Sequence, residues 1–533
     1  MGFGDEVAKV LRIMQMEKKV YKDYLPMEAV DAGSEMVKSV EPLWEGVKKS
    51  ICSLLEREMP YSSPYASVWW YSVLLQIEKT PDAVFRFISY IRRHKNVFSV
   101  NTQCFLYYQI SLLVFTQREW NTEKIKLELW SFYKEIIEEF AEEAEVPLEE
   151  IPEPKRNKNL VVVVTEQFLD IRHGPTKTVL DRCKILIEEM GKEVILIDSC
   201  ELVSLEGKIP FYGVQQGGRN KKTDEKEQMW KGAKIPYIRC GNSMPDIEII
   251  NWFLQKLRSM APGWVLVIGG GGILGNLLGK MVPSISIGTV PSELGITCTK
   301  YQTLGRKLTQ QDIDYLIQAG RTKEQVIEGI FTSSLKPQEE HITKGMLGIA
   351  ESSFLIAVVG YRLADEITKD FLEMLEEVLQ ENMHVAFWGK FCKYEEKIRD
   401  YPNLKKKSSY FGVCDDILSR MEVSDLYLNP VRKGGGTSCV EAMFQGVPVV
   451  TVNYGDVSVN AGKEFCVENY REMQEKILRY CQDNEYYTVM SDKAKKRAEA
   501  LLDTKTEFVR IMKEAEFREQ GKKKKENALC RNN

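Results

Sequence analysis

Through the first 144 residues the apolar positions recur at helical spacing. Val37, Val40, Trp44, Val47, Ile51 and Leu54 fall on one face, and Ile125, Leu129, Phe132, Ile136 and Phe140 on another, which predicts an all-α region. Trp69-Trp70-Tyr71 and the FLYYQISLLVF run at 105–115 keep that spacing, so they read as core rather than as a binding surface. Arg92-Arg93-His94-Lys95 reads as the basic end of a helix complementing its dipole. Residues 142–154, rich in Glu and punctuated by Pro147, Pro152 and Pro154, look like a solvated linker. The period then changes. The LVVVV run at 160–164 predicts a buried strand, 175–190 a helix and 194–197 a second strand. Further strand-like runs at 264–268, 284–290, 354–359, 384–388 and 449–452 alternate with helical stretches. Such alternation predicts doubly wound, mostly parallel sheets covered by helices.

Two glycine-rich turns interrupt this pattern. In the first, Gly270-x-Gly272-x-x-Gly275 follows a strand and opens a helix, as a dinucleotide-binding turn would, with Glu293 near the place of a ribose-binding acid. Because that strand is not the first of its sheet, we read Gly271 and Gly272 instead as a close backbone approach to sugar or phosphate across a cleft. In the second, spanning 425–456, a short strand, Asn429-Pro430, Gly434-Gly435-Gly436, a helix and the strand at 449–452 follow without interruption. This is the pattern of a phosphate-binding βαβ unit, in which glycines admit close backbone approach and a helix N-terminus suits an anion. Thr437 or Ser438 would cap the helix, with Glu441 either closing a Ser-x-x-Glu capping box or facing a ligand. Gly389 and Asp456 also stand at strand carboxyl ends, where α/β sheets bind ligands.

Composition narrows the class. The chain has 533 residues, 44% hydrophobic and 28% charged with a net charge of −4, which suggests about three globular domains and no electrostatic footprint for nucleic acid. Twelve cysteines without a Cys-x-x-Cys pair and four histidines argue against a zinc site, so no metal is expected. With no signal-peptide pattern at the start, the thiols are expected to be reduced, in a cytoplasm. The apolar runs at 104–115 and 264–278 fall short of the roughly 18 residues a spanning helix needs, while association with a membrane surface stays open. The charged stretch at 215–231 predicts a mobile loop or helix start by the cleft, and Lys522–Lys525 a frayed, solvated tail.

The GGGTSCVEAMFQGVPVV segment resembles the nucleotide-sugar signature of GT-B-fold glycosyltransferases, in particular family 4, or group 1. The resemblance covers 160–503. It implies an α/β fold of two facing Rossmann-like domains with parallel sheets: an acceptor domain at 156–335 and a nucleotide-sugar domain at 340–503. An all-α domain at 1–150 precedes them and a helix with a basic tail at 504–533 follows. It further implies that Glu441, the last acid of an E-x7-E pattern, holds the donor ribose, and that Arg362 pairs with the diphosphate. Lys433 fills the pattern's first acidic position and could restore the positive charge of a companion lysine that is missing after Arg362, where Ala364-Asp365-Glu366-Ile367 follows. The alternative for Arg362 is a surface ion pair with Asp365 or Glu366.

In the polar loop EQFLDIRHGPTKT, His173 stands where inverting relatives keep a general base, and an imidazole's near-neutral pKa suits that work. Asp170 and Arg172 are the loop's other candidates. Tyr410-Phe411-Gly412 would set the nucleotide base against backbone. The reading is a glycosyltransferase using a nucleotide sugar, with UDP the expected nucleotide, and a protein or surface-glycan acceptor. It needs no cofactor, because Arg362, Lys433, the Gly434–Gly436 loop, Thr437 and Ser438 would neutralise the diphosphate. A non-catalytic GT-B-like subunit, and an NAD-dependent oxidoreductase using the first glycine turn, are the alternatives.

Overall fold

The computed structural model describes residues 27–58, 63–171, 173–203, 205, 209–214 and 226–531. Its helical region comprises Met27–Val40, Glu45–Glu58, Pro64–Glu78, Pro81–Arg93, Val100–Thr116 and Glu123–Glu142. Four of these begin with a Ser or Thr whose side chain accepts from a backbone N–H one turn on: Ser63, Thr80, Ser99 and Thr122. Trp69, Trp70, Phe105 and Tyr108 are buried, as the aromatic spacing predicts. Trp44 is not. The expected single face breaks at 41–44 between two helices, leaving Trp44 78% exposed. Arg92 does close its helix, but it also bridges Glu128 and Glu135 of the helix Glu123–Glu142.

Eight strands form the first sheet: β1 (Asn157–Thr165), β2 (Glu193–Asp198), β3 (Glu227–Trp230), β4 (Ala233–Arg239), β5 (Pro262–Gly269), β6 (Ser284–Gly288), β7 (Tyr301–Leu304) and β8 (Val326–Glu328). They lie in the order β3-β4-β2-β1-β5-β6-β7-β8, parallel except for the β3–β4 hairpin. Part of the stretch expected to be a loop or helix start is therefore an edge strand; 215–225 lie outside the described residues.

Alternation along β1 divides the core. Val162 and Val164 join a cluster running through the N-terminal helices, whereas Val161 and Val163 face Val179, Leu180 and Cys183 on the helix Gly174–Glu188. The N-terminal helices thus pack directly on one sheet face. The expected solvated linker is laid down as well, since Ile151 is buried and its N–H donates to the Met281 carbonyl at 2.8 Å.

The second sheet is all parallel: β9 (Phe354–Gly360), β10 (Met383–Gly389), β11 (Ser408–Gly412), β12 (Leu426–Leu428), β13 (Val449–Val452) and β14 (Cys466–Val467), in the order β11-β10-β9-β12-β13-β14. Strand order reverses between β9 and β12, and in the first sheet between β1 and β5. After this sheet the helix Thr504–Arg531 returns to the first, where Phe508, Ile511, Met512 and Ala515 are buried against Val161 and Leu266. The backbone of 522–525 continues this helix rather than fraying. Among the described residues no helix is long and apolar enough to cross a membrane.

Candidate functional site

A cavity of about 430 Å³ opens between the sheets at the β9/β12 crevice. Its C-terminal wall is Gly360, Tyr361, Arg362, Glu366, Gly389, Val413–Asp415, Arg432, Gly434–Ser438, Glu441 and Asp456, and facing it are Gly174, Lys177, Thr289 and Lys336. Phe115, from the last turn of a helix of the N-terminal region, completes the rim.

Arg432 organises the C-terminal wall from within. Fully buried, it donates to Glu366 Oε2 at 2.8 Å, to the Val359 carbonyl at 2.7 Å and to Asn429 Oδ1 at 2.8 Å, tying the ends of β9 and β12 together. Gly435 wraps over its guanidinium with φ +99°, where a Cβ would come within 2.7 Å of it. That left-handed residue is the N-cap of the helix Gly436–Phe444. The expected capping by Thr437 or Ser438 is thereby corrected, and with it the capping box: the helix starts too early for Glu441 to be its third residue. Instead Glu441 stands in the pocket wall, where burial pushes its carboxyl up to about 7 against the pull of Lys177 and Lys336.

Arg362 reaches the pocket with its guanidinium 3.0 Å from Glu366 Oε1 and 5.6 Å from the Phe115 ring centre, so the pocket placement and the ion pair coexist. Lys433 turns away. Its ammonium is 2.8 Å from Glu293 Oε2, with Phe115 at 5.1 Å, and it is absent from the pocket wall, so its charge is not added to the glycine loop as expected. Burial alone would raise the Glu293 carboxyl, but Lys433 and Lys126 hold it below its ordinary range. Gly389 lines the pocket at φ +116°, because a Cβ there would collide with the Gly360 carbonyl. Asp456 accepts from Ser292 Oγ at 2.7 Å and from Ser292 N at 3.3 Å across the domain boundary; burial lifts its carboxyl to about 7.

The other expected residues are placed differently. His173 precedes the helix Gly174–Glu188 without capping it. Its Nδ1 lies 3.0 Å from Thr176 Oγ1, and burial drops its pKa to about 4 against the opposing pull of Asp170, not the near-neutral value expected. It stands one residue short of the pocket wall and is not part of it, and Asp170 is exposed on the same loop. Arg172 lies outside the described residues. Val413, Cys414 and Asp415 line the pocket, whereas Tyr410-Phe411-Gly412, expected to set the nucleotide base, do not.

The first glycine turn is occupied by the protein itself. Glu201 accepts from Ile273 N at 2.6 Å and Leu274 N at 3.2 Å, filling the helix N-terminus where a dinucleotide phosphate would sit. The Tyr108 hydroxyl lies 2.6 Å from Glu201 Oε2 and 2.8 Å from the Gly271 carbonyl. Glu166 is buried beside the Gly271 and Gly272 amides, its carboxyl lifted to about 8 by burial and by Glu201. Neither Gly271 nor Gly272 borders the cavity, so the expected cleft contact is corrected, and the place a dinucleotide phosphate would take in the NAD alternative is held by Glu201.

Sequence reasoning passed over Phe115, Lys177, Lys336 and Arg432. Arg432 adjoins the glycine run and Lys177 follows the Gly-Pro-Thr helix start, weak signals that surface charge equally explains. Among the described residues no group of three or more His, Cys, Asp or Glu could hold a metal.

Residues 354–483 match the family model for Glycosyl transferases group 1. No curated protein matches the chain in sequence. Among solved structures it is similar to a mutant O-GlcNAc transferase of Thermobaculum terrenum, at 12% identity and a TM-score of 0.56 over 96% of this chain and 97% of that one. It is also similar to a glycosyltransferase of Rickettsia africae, at 12% identity and a TM-score of 0.50 over 68% of this chain and 98% of the other. The fold is GT-B. Together with the family match it supports a nucleotide-sugar glycosyltransferase.

Proposed function

We propose that this GT-B chain, with its group 1 glycosyl transferase domain, binds a nucleotide sugar in the β9/β12 crevice and transfers the sugar to a protein or surface-glycan acceptor held by the N-terminal half. The observation that carries the reading is the pocket wall. It brings Arg362, the Gly434–Gly436 turn, the start of the helix Gly436–Phe444 and Glu441 onto one cavity between two sheets. Arg362 and the helix start would neutralise the diphosphate as it leaves, work done elsewhere by a divalent ion, and Glu441 would accept from ribose hydroxyls. UDP is the nucleotide to test first. The full-length likeness to an O-GlcNAc transferase adds GlcNAc to the sugars worth screening.

The test is a thermal-shift panel of UDP, GDP, dTDP and NAD followed by transfer assays; a ligand at about 100 times its Kd stabilises by about 2.7 kcal/mol. NAD alone shifting the protein would sink the reading. His173 remains the proposed base, neutral at pH 7 and hence able to accept a proton. His173→Ala should lower turnover about a hundredfold or more. Because the imidazole must be neutral to act, the rate limb it sets should lie near pH 4 and the profile be flat above about 6. Full activity in the variant would remove His173 from the chemistry.

A second reading is favoured by Lys433, whose place in the family pattern is acidic and whose charge here is spent on Glu293: a non-catalytic GT-B subunit partnering a true transferase. Nucleotide binding without transfer to any acceptor screened, restored by adding a partner, would select it.

A further inference from the structure

The charges around the pocket are unevenly committed. On the C-terminal side Arg362 and Arg432 both pair with the single carboxylate of Glu366, at 3.0 and 2.8 Å, and Lys433 pairs with Glu293. Four residues after Arg362 the chain carries this Glu366 and no second cation. Facing them, Lys177 and Lys336 line the same cavity, and among the described residues neither side chain has a hydrogen bond or ion pair.

Lys177 is the more unusual of the two. Only 7% exposed, it occupies the first turn of the helix Gly174–Glu188, where the dipole repels a cation, and burial lowers its pKa. A buried cation at the unfavourable end of a helix is retained at a cost in stability unless something anionic arrives. That helix also starts against the other: a Cβ on Gly174 would lie 3.4 Å from Thr437 Oγ1. Two helix N-termini and two ammonium groups, which feel the Glu441 carboxyl but hydrogen-bond to nothing among the described residues, therefore converge on one cavity.

We infer that Lys177 and Lys336 grip the phosphates of a nucleoside diphosphate from the N-terminal side, so that the diphosphate bridges the two domains. The inference rests on the donor site proposed above and adds where the missing positive charge resides. In transfer, the bond from the anomeric carbon to the β-phosphate oxygen breaks, its electron pair stays on that oxygen, and the acceptor oxygen takes the carbon while passing its proton to the base proposed above, His173. Lys177 and Lys336 would stabilise the charge gained by the phosphate.

Calorimetric titration of wild type, Lys177→Met, Lys177→Arg and Lys336→Met with UDP, GDP, dTDP and ADP, and with the matching nucleosides, tests this. Each Met variant should lose about tenfold or more in affinity for the diphosphate that wild type binds, and less than about twofold for its nucleoside. Lys177→Arg should retain most of the affinity. The unliganded Lys177→Met protein should melt no lower than wild type, an outcome that neutralisation of Glu441 as Lys177's sole role would not give. Unchanged diphosphate affinity in both Met variants, or equal losses for diphosphate and nucleoside, overturns the bridging role while leaving the donor site standing. Failure of wild type to bind any of the four diphosphates overturns both.

Discussion

The crevice between β1 and β5 and the crevice between β9 and β12 are built alike. Each lies outside the carboxyl ends of parallel strands where strand order reverses, and each is floored by a glycine-rich turn that opens a helix. In the first, Glu201 caps the helix, Glu166 is wedged beside the turn, and Tyr108 closes over both from the N-terminal helices. In the second, a buried cation, Arg432, ties the strand ends together from below, and the space above is left open. A glycine turn before a helix therefore permits an anion without assigning one. What fills the place is decided by residues far away in sequence: Tyr108 and Glu201 are 93 residues apart, and Tyr108 and Gly271 are 163.

The largest expected effect comes from removing the cation beneath the open crevice. Arg432→Ala leaves Glu366 to Arg362 alone and takes the donor away from the Val359 carbonyl and Asn429 Oδ1, so it should lower unfolding free energy by about 3–5 kcal/mol while abolishing nucleotide binding. Denaturant titration and calorimetry measure the two losses. Removing the anion that fills the other crevice should separate them. Glu201→Ala leaves the amides of Ile273 and Leu274 and the Tyr108 hydroxyl short of a partner, a loss of roughly 3 kcal/mol in stability with nucleotide affinity intact. Loss of affinity in that variant would show that the two crevices are coupled.

Arg362→Ala should do the reverse. Half-exposed and paired with Glu366, it should leave the melting temperature nearly unchanged and weaken diphosphate binding by about 1.5–3 kcal/mol. The last expected effect is a slope rather than a single loss. The Glu166 carboxyl has its pKa raised from 4.5 to about 8, so between those values the folded chain holds a proton the unfolded chain has released, and stability falls as pH rises from about 5 to about 8. Glu166→Gln should flatten that part of the curve, read by unfolding at several pH values. Asp456, raised to about 7, adds a decline of the same sign that the variant keeps.

The strands were legible because their residues carry the information locally. Val161 to Val164 are buried on both faces, and a run of valines says as much without any partner being known. Gly434 to Glu441 were legible as a glycine turn opening a helix for the same reason, and the turn borders the cavity. Legibility ended where a residue's role depends on something across the fold. Lys433 and Glu293 look like two surface charges until the domains meet, and the helix start at Gly436 follows from Arg432 filling the space under Gly435, not from the Thr and Ser that invite a cap. His173 stands at the end of the helix-start loop as its sequence suggests, yet the packing around it sets a pKa the sequence does not record.

The helix Thr504–Arg531 gives the polypeptide a particular order of maturation. Phe508, Ile511, Met512 and Ala515 complete the core under β1 and β5, strands that leave the ribosome long before them, with the whole second sheet synthesised in between. At roughly 5–20 residues per second the first sheet waits on the order of ten seconds or more with part of one apolar face, the part not covered by the helix Gly174–Glu188, left open. During that interval it is expected to be a client for chaperones, and a nascent chain arrested before residue 504 should present that open part to them.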